Sequence, residues 1–172
     1  MSTFISIGNA KQEFSRFFKM IESVEKQLPL PIIIQYGHTL YKNKNKNKNK
    51  NKNMEAVDFI DMEEFSERIS QAKLIILHAG AGSVIHAISA GKKPIVIPRE
   101  SQYGEHIDDH QLEFSVKLAA LDKVFVARNV DDLKESIESA LNENTSLDSS
   151  HEVPEAFYKI KAVFDKYENN FG

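Results

Sequence analysis

The stretch KLIILHAGAGSVIHAISAGKKPIVIP, Lys73–Pro98, decides how this chain folds. KLIILHAG is a continuous apolar run of the kind that forms a strand buried on both faces. SVIHAISAG then takes up the period of a helix, with Gly91 placed to end it, and KPIVIPR returns to the composition of a strand. At the first junction, Gly80 and Gly82 let the backbone turn sharply and approach a ligand without Cβ atoms in the way. Ser83 is placed to cap the helix, whose amino end offers N–H groups and a positive dipole to an anion. Alone, this turn reads equally as a phosphate cradle or as a packing corner of an α/β core.

The same alternation continues on both sides. TFISIG (Thr3–Gly8) is a short strand, and QEFSRFFKMIESVEK places Phe14, Phe17, Phe18, Ile21 and Val24 on one helix face. LPIIIQYG and EAVDFI are the second and third strands, and MEEFSERISQA is the helix leading into KLIILHAG. After KPIVIPR come the helix DDHQLEFSVKLAAL, the sixth strand KVFVA and the helix VDDLKESIESALNE. The repeating order predicts an α/β fold, a doubly wound, Rossmann-like parallel sheet with helices on both faces, in one domain over 1–172. In such sheets ligands bind beyond the carboxyl ends of the strands, which is the edge that carries the glycine turn.

Composition narrows the function. The chain has 172 residues, 41% hydrophobic and 27% charged, enough for one domain with a real core. The absence of cysteine excludes disulfides, cysteine-ligated zinc and thiol nucleophiles, and fits a reducing, cytoplasmic setting. The segment MSTFISIGNAKQ lacks the pattern of a secretory signal, and no apolar run approaches the length of a membrane span. The net charge of −3 conceals a segregation. KNKNKNKNKNKN, Lys42–Asn53, holds six of the 22 basic side chains, leaving 16 basic against 25 acidic elsewhere, a net of −9. This tract cannot bury enough apolar surface to offset its ordering entropy and reads as a mobile loop at 42–53. It reads either as a tolerated insertion or as a positive strap near anionic headgroups or a diphosphate. Lysines without interleaved arginines or aromatics argue against nucleic acid as a partner.

A second polar concentration lies on the same sheet edge. PRESQYGEHIDDHQ, Pro98–Gln111, brings together Arg99, Glu105, His106, Asp108, Asp109, His110 and Gln111. Arg99 is a cation placed for phosphate charge, and the Gln111 amide is able to hydrogen-bond sugar hydroxyls in both directions. His106 and His110, with Asp109, have metal-ligand chemistry, but hydrogen bonding to a ligand is the better reading, and no metal is predicted.

The segment DFIDMEEFSERISQAKLIILHAGAGSVIHAISAGKKPIVIPRESQYGEHIDDHQLEF resembles the donor-binding half of the GT-B glycosyltransferases, which include the bacterial enzyme adding N-acetylglucosamine to the peptidoglycan lipid. It is still more similar to the small single-domain subunits of bipartite enzymes in capsule and exopolysaccharide synthesis, and to their eukaryotic relative in dolichol-linked oligosaccharide synthesis. The combination HAGAGS, AGKKPIVIPR and GEHIDDHQLE carries the resemblance, which extends over most of the chain outside the lysine tract.

The resemblance implies a UDP-sugar donor and no cofactor or metal. It implies backbone contact of Phe59 and Ile60 with the uracil ring, and a diphosphate held by His78, Gly80, Gly82 and Ser83, with Gly8 and Asn9 facing it. It implies that His110 and Gln111 reach the transferred sugar, with Asp109 behind them. Two positions depart from the pattern. His86 stands where peptidoglycan-type relatives hold the ribose with a glutamate, and Asn9 stands where close relatives often have threonine. An imidazole bonds one hydroxyl where a carboxylate accepts from two.

A GT-B enzyme closes two lobes around donor and acceptor, and this chain has the length of one. The resemblance therefore implies a hexosyltransferase active only with a membrane-anchored, acceptor-binding partner subunit, acting on a lipid-linked saccharide in polysaccharide synthesis. The chain is then expected in the cytoplasm, peripheral at the inner face of the membrane through that partner. PEAFYKIKAVFDKYENNF offers an apolar and aromatic stripe for docking over 154–171, or for packing on its own domain. His106 is the candidate general base within the chain, the alternative being a base on the partner. A non-catalytic subunit that stimulates a partner transferase is the second reading, and an epimerase-like domain the third.

Overall fold

Each apolar run becomes a strand of one six-stranded sheet in the computed structural model, which describes residues 2–41, 53–143 and Ala162. The strands are β1 (Thr3–Ser6), β2 (Ile32–Gln35), β3 (Met54–Val57), β4 (Leu74–His78), β5 (Ile95–Ile97) and β6 (Phe125–Val126). All pairings are parallel, in the order β3-β2-β1-β4-β5-β6. The doubly wound sheet expected from the sequence is the one that forms. Strand order reverses between β1 and β4, and the crevice above their carboxyl ends is the topological switch point of the fold.

The helices are α1 (Ser15–Val24), α2 (Met62–Gln71), α3 (Ala81–Ser89), α4 (His110–Ala120) and α5 (Val130–Glu143). They divide the core in two. Ile5, Ile7, Ile34, Leu74, Ile76 and Ile97 meet Phe14, Phe17, Phe18, Ile21 and Val24 of the α1 segment and Leu133 and Ile137 of α5. On the other face Phe4, Ile75, Leu77 and Val96 meet Phe65, Ile69, Val84, Phe114 and Leu118 of α2, α3 and α4. The alternation of partners along β4, Ile76 to one cluster and Ile75 and Leu77 to the other, is why its sequence is apolar throughout. Each such side chain, buried completely, stabilises the fold by about 1.5–3 kcal/mol.

Element ends follow local chemistry. The third strand stops at Val57, short of the expected Ile60, because the Asp58 carboxylate turns back to accept from the Phe59 amide at 2.8 Å. Asp61 then caps α2 by accepting from the Glu64 N–H at 2.8 Å. Helix α3 ends as expected at Gly91, which adopts φ +73°. The Gly91 amide donates to Ile88 and the Lys92 amide to Ala87, closing the helix. Residues 42–52 of the lysine tract and the docking stripe at 154–171, apart from Ala162, lie outside the described residues.

A side chain at Gly91 meets nothing within 4 Å, so substitution there tests backbone conformation alone. Gly91→Ala is expected to cost about 1–2 kcal/mol, from forcing an L-residue into the left-handed region. Urea unfolding checks this, with Gly91→Asn expected to lose less.

Candidate functional site

Three neighbouring strands end in a polar residue at the carboxyl edge: β2 in Gln35, β1 in Ser6 and β4 in His78. All three are buried. The Ser6 hydroxyl donates to the side-chain carbonyl of Gln35, and the Gln35 amide donates to Asn9 Oδ1 at 3.1 Å and to the Gly8 carbonyl at 3.3 Å. The Gly8 amide closes the web on Ser6 Oγ at 3.2 Å. These contacts fix the loop after β1 as one wall of a cleft of about 350 Å³.

The opposite wall is the turn from β4 into α3. Gly80, not Ser83, occupies the cap position, and the helix begins at Ala81, earlier than the sequence suggested. The Val84 amide is the first to donate within the helix, to the Gly80 carbonyl at 3.1 Å. The amides of Ala81, Gly82 and Ser83 therefore present their N–H groups at the positive end of the dipole. Ser83, as the third helical residue, adds its side chain to the cleft lining and makes no cap bond.

The two glycines of this turn have different functions. A Cβ on Gly80 would lie 2.1 Å from His78 Nε2, and one on Gly8 would lie 2.5 Å from His78 Cε1. The imidazole of His78 fills the space that both glycines leave, so it is a protein ring, not a ligand, that requires them. Gly82 differs: nothing stands within 4 Å of its Cβ direction, and it lines the open cleft. Close approach of a ligand to backbone is thus available at Gly82.

His78 is buried, and its Nδ1 has no hydrogen-bond partner among the described residues. Burial, aided by the nearby positive charge of Arg99, pushes its pKa down to about 4, so the ring is neutral at neutral pH. None of the described lining residues is a lysine or arginine. The cleft offers an anion dipoles and hydrogen-bond donors in place of lysine or arginine charges.

The cleft brings together Gly8, Asn9, Ile60, His78, Gly80, Gly82, Ser83 and His86 among the residues singled out from sequence. It adds Ser6, Gln35, Asp61, Met62, Phe65 and Ala81. The signal for Ser6 and Gln35 was present, since each is a lone polar residue closing an apolar strand. His86 stacks edge-on against Phe65, ring centroids 5.6 Å apart. Phe59 does not line the cleft; its half-exposed ring stands against His38, at 5.0 Å between centroids.

The loop after β5 departs most from expectation. Arg99, read as a cation for phosphate, is completely buried. Its guanidinium lies over the Phe14 ring at 4.5 Å and its Nη1 donates to the carbonyls of Gln12 and Glu13 at 2.9 and 3.3 Å. A charge so enclosed has no direct reach to a ligand, and it acts on the cleft through its field on His78. Gln111 is also turned inward, its Oε1 accepting from the Arg99 amide at 3.1 Å. Asp109 accepts from the Ser101 amide at 2.8 Å, which holds its carboxyl below the usual carboxylate range. Arg99, His106, Asp109, His110 and Gln111 all lie off the cleft lining, on the neighbouring strand's loop.

Two carboxylate–guanidinium forks make that loop rigid. Arg16 of α1 grips Glu105 at 2.9 and 2.8 Å, and Arg128 after β6 grips Glu100 at 3.0 and 2.6 Å. The Arg128 bond holds the buried Glu100 carboxyl below its ordinary range.

The family described as glycosyltransferase family 28 C-terminal domain matches residues 7–164. The chain belongs to that family. This family 28 domain is 31% identical over 78 residues to the UDP-N-acetylglucosamine transferase subunit ALG13 of Yarrowia lipolytica, covering 45% of the chain and 38% of that relative. Its fold is shared with the glycosyltransferase of kitacinnamycin (TM-score 0.59, 14% identity) and with SnogD from Streptomyces nogalater (0.56, 16%). It is also shared with the calicheamicin glycosyltransferase CalG4 (0.59, 18%). These superpositions cover 93–94% of the family 28 chain but only 39% of each neighbour, so the chain spans well under half the length of the proteins it matches.

The buried neutral His78 has a measurable consequence. Its folded pKa of about 4 lies below the ordinary 6.5, so between those values the folded state binds fewer protons than the unfolded chain. Its contribution is therefore full above pH 6.5 and falls as pH drops toward 4, by about 3 kcal/mol in total. Urea unfolding from pH 7 to 4.5 is expected to show a steeper loss for the native chain than for His78→Gln. Equal slopes would mean that the ring is not held neutral.

Proposed function

We propose that this chain is the UDP-sugar-binding subunit of a two-component glycosyltransferase. The observation that carries the reading is the open Gly82 position beside the α3 amides at the switch point, where a diphosphate meets N–H donors and no side chain. Membership of the family 28 C-terminal domains supports transferase chemistry, and similarity to the Yarrowia UDP-N-acetylglucosamine transferase subunit supports both a UDP-sugar and the role of a subunit.

In this reading the uracil lies toward Ile60, in the turn between β3 and α2, the diphosphate lies on Ala81–Ser83 with Asn9 across from it, and His86 faces the ribose. An acceptor hydroxyl attacks the anomeric carbon of the sugar, giving up its proton to a base on the partner or to His106; a new C–O bond forms there, and the bond to the diphosphate oxygen breaks. The electron pair leaves with UDP, and the helix amino end stabilises the charge that develops on the departing phosphate. The acceptor, a lipid-linked saccharide in capsule or exopolysaccharide synthesis, is carried by a membrane-anchored partner that holds this subunit at the cytoplasmic face. None of the described helices is long and apolar enough to cross a membrane.

Gly82→Ala separates ligand contact from folding. Gly82 lies within α3 in open space, so alanine is expected to leave stability unchanged or raise it by up to about 1 kcal/mol. Its Cβ projects where the diphosphate would lie, and UDP affinity by calorimetry is expected to fall at least tenfold. Transfer activity of the complex with the partner should fall with it. A folded native chain with no affinity for UDP would overturn the proposal.

A further inference from the structure

At the rim of the cleft, the side-chain amide of Asn9 is oriented by a chain of hydrogen bonds that begins in the main chain. Ser6 and Gln35 stand opposite each other in the register of β1 and β2, and both are buried. The Gly8 N–H can only donate, and it donates to Ser6 Oγ at 3.2 Å. The Ser6 hydroxyl gives its own proton to Gln35, so the Gln35 atom that meets it is the carbonyl Oε1. The other atom of that amide, Nε2, lies 3.3 Å from the Gly8 carbonyl, which can only accept. The donor and the acceptor of one glycine thus fix which way round the Gln35 side chain stands.

That orientation passes on to Asn9. Gln35 Nε2 lies 3.1 Å from the Asn9 side chain, and because one amino group cannot face another there, the atom that meets it is Oδ1. The Nδ2 amino group, the donor end, is left for the cleft, whose lining includes the exposed Asn9. The opposite wall holds Ala81, Gly82 and Ser83, with the main-chain amides of the start of α3. Both walls then present hydrogen-bond donors. An ionised phosphate oxygen accepts and never donates, so an Asn9 flipped to place Oδ1 toward it would repel it. Nothing in Asn9 itself prefers one orientation. The group that sets it cannot give way, since Gly8 has φ +67° and the His78 ring fills the space at its Cβ position.

We propose that Gln35, held by Ser6, is a positioning residue that turns the Asn9 amino group toward the diphosphate of the bound donor and so makes this wall selective for an anion. This rests on the sugar-nucleotide reading of the cleft and adds to it the two residues that orient one of its donors. Asparagine at this position depends on the relay. A threonine hydroxyl carries donor and acceptor on one rotating oxygen and needs no outside group to orient it.

The test is a double-mutant cycle read by calorimetry with UDP, using Gln35→Met to keep the length of the side chain and remove its amide. In the native background Q35M is expected to weaken UDP binding about tenfold, the loss of one charge-assisted hydrogen bond. In Asn9→Ala and Asn9→Thr backgrounds, where no amide remains to be oriented, Q35M is expected to change affinity by less than about twofold. An equal loss in all three backgrounds would make Gln35 a support of the loop and overturn the proposal, as would no loss in the native one. In the native chain, the Asn9 side-chain NH2 signals in ¹⁵N NMR are expected to shift as UDP is added. Signals unmoved at saturating UDP would overturn the proposal whether or not Q35M folds. Failure of the native chain to bind UDP itself would instead overturn the reading of the cleft.

Discussion

The imidazole of His78, held between the backbones of Gly8 and Gly80, is the constraint on which the rest of the site depends. It ties the end of β1 to the end of β4 where the sheet reverses direction, and it sets how far apart the two walls of the cleft stand. Only glycine fits at either contact, and at Gly8 the backbone is also left-handed, φ +67°. Burial keeps the imidazole neutral, aided by the nearby charge of Arg99, while Phe14 and the carbonyls of Gln12 and Glu13 hold Arg99. One ring thus connects the α1 approach, the β5 loop and the glycine turn.

Much of this was legible in the sequence. Strand and helix periods differ enough that TFIS, IIIQ, LIILH and IVI were identifiable as strands, and the glycine turn fell at the correct edge because parallel topology leaves no other place for it. What escaped reading was long-range. Nothing near Gly80 in sequence announces that a neighbouring ring and a distant glycine compete for the same volume. Arg99 follows a strand in a polar loop and so reads as a surface cation, because its burial depends on Phe14 and on carbonyls far away in the chain. Gln111 was assigned outward because its amide suits a sugar, but the Arg99 amide needs an acceptor and takes it. Side-chain direction is set by such unmet backbone groups, which local pattern does not reveal.

The loop from Pro98 to Gln111 shows how charge gives order to a segment with little apolar content. Its Glu100 and Glu105 carboxylates are buried, a costly arrangement unless each is fully paired, and each meets a two-pronged guanidinium from another element. A length of chain that would otherwise wander is thereby attached to α1 on one side and to the start of α5 on the other. Its acidic and imidazole groups are presented by a rigid platform.

The described cleft lining contains no lysine or arginine, and what it offers an anion is chiefly main-chain amides and a hydroxyl beside the neutral His78 ring. Fixed dipoles attract a phosphate over a short range and are little screened by dissolved ions, whereas mobile cations act at a distance and weaken as salt rises. A grip of this kind is selective for shape and only moderately tight. In the proposed reading, such a grip does not retain spent nucleotide: once the sugar has gone, no ion pair with a lysine or arginine of the described lining would hold UDP back.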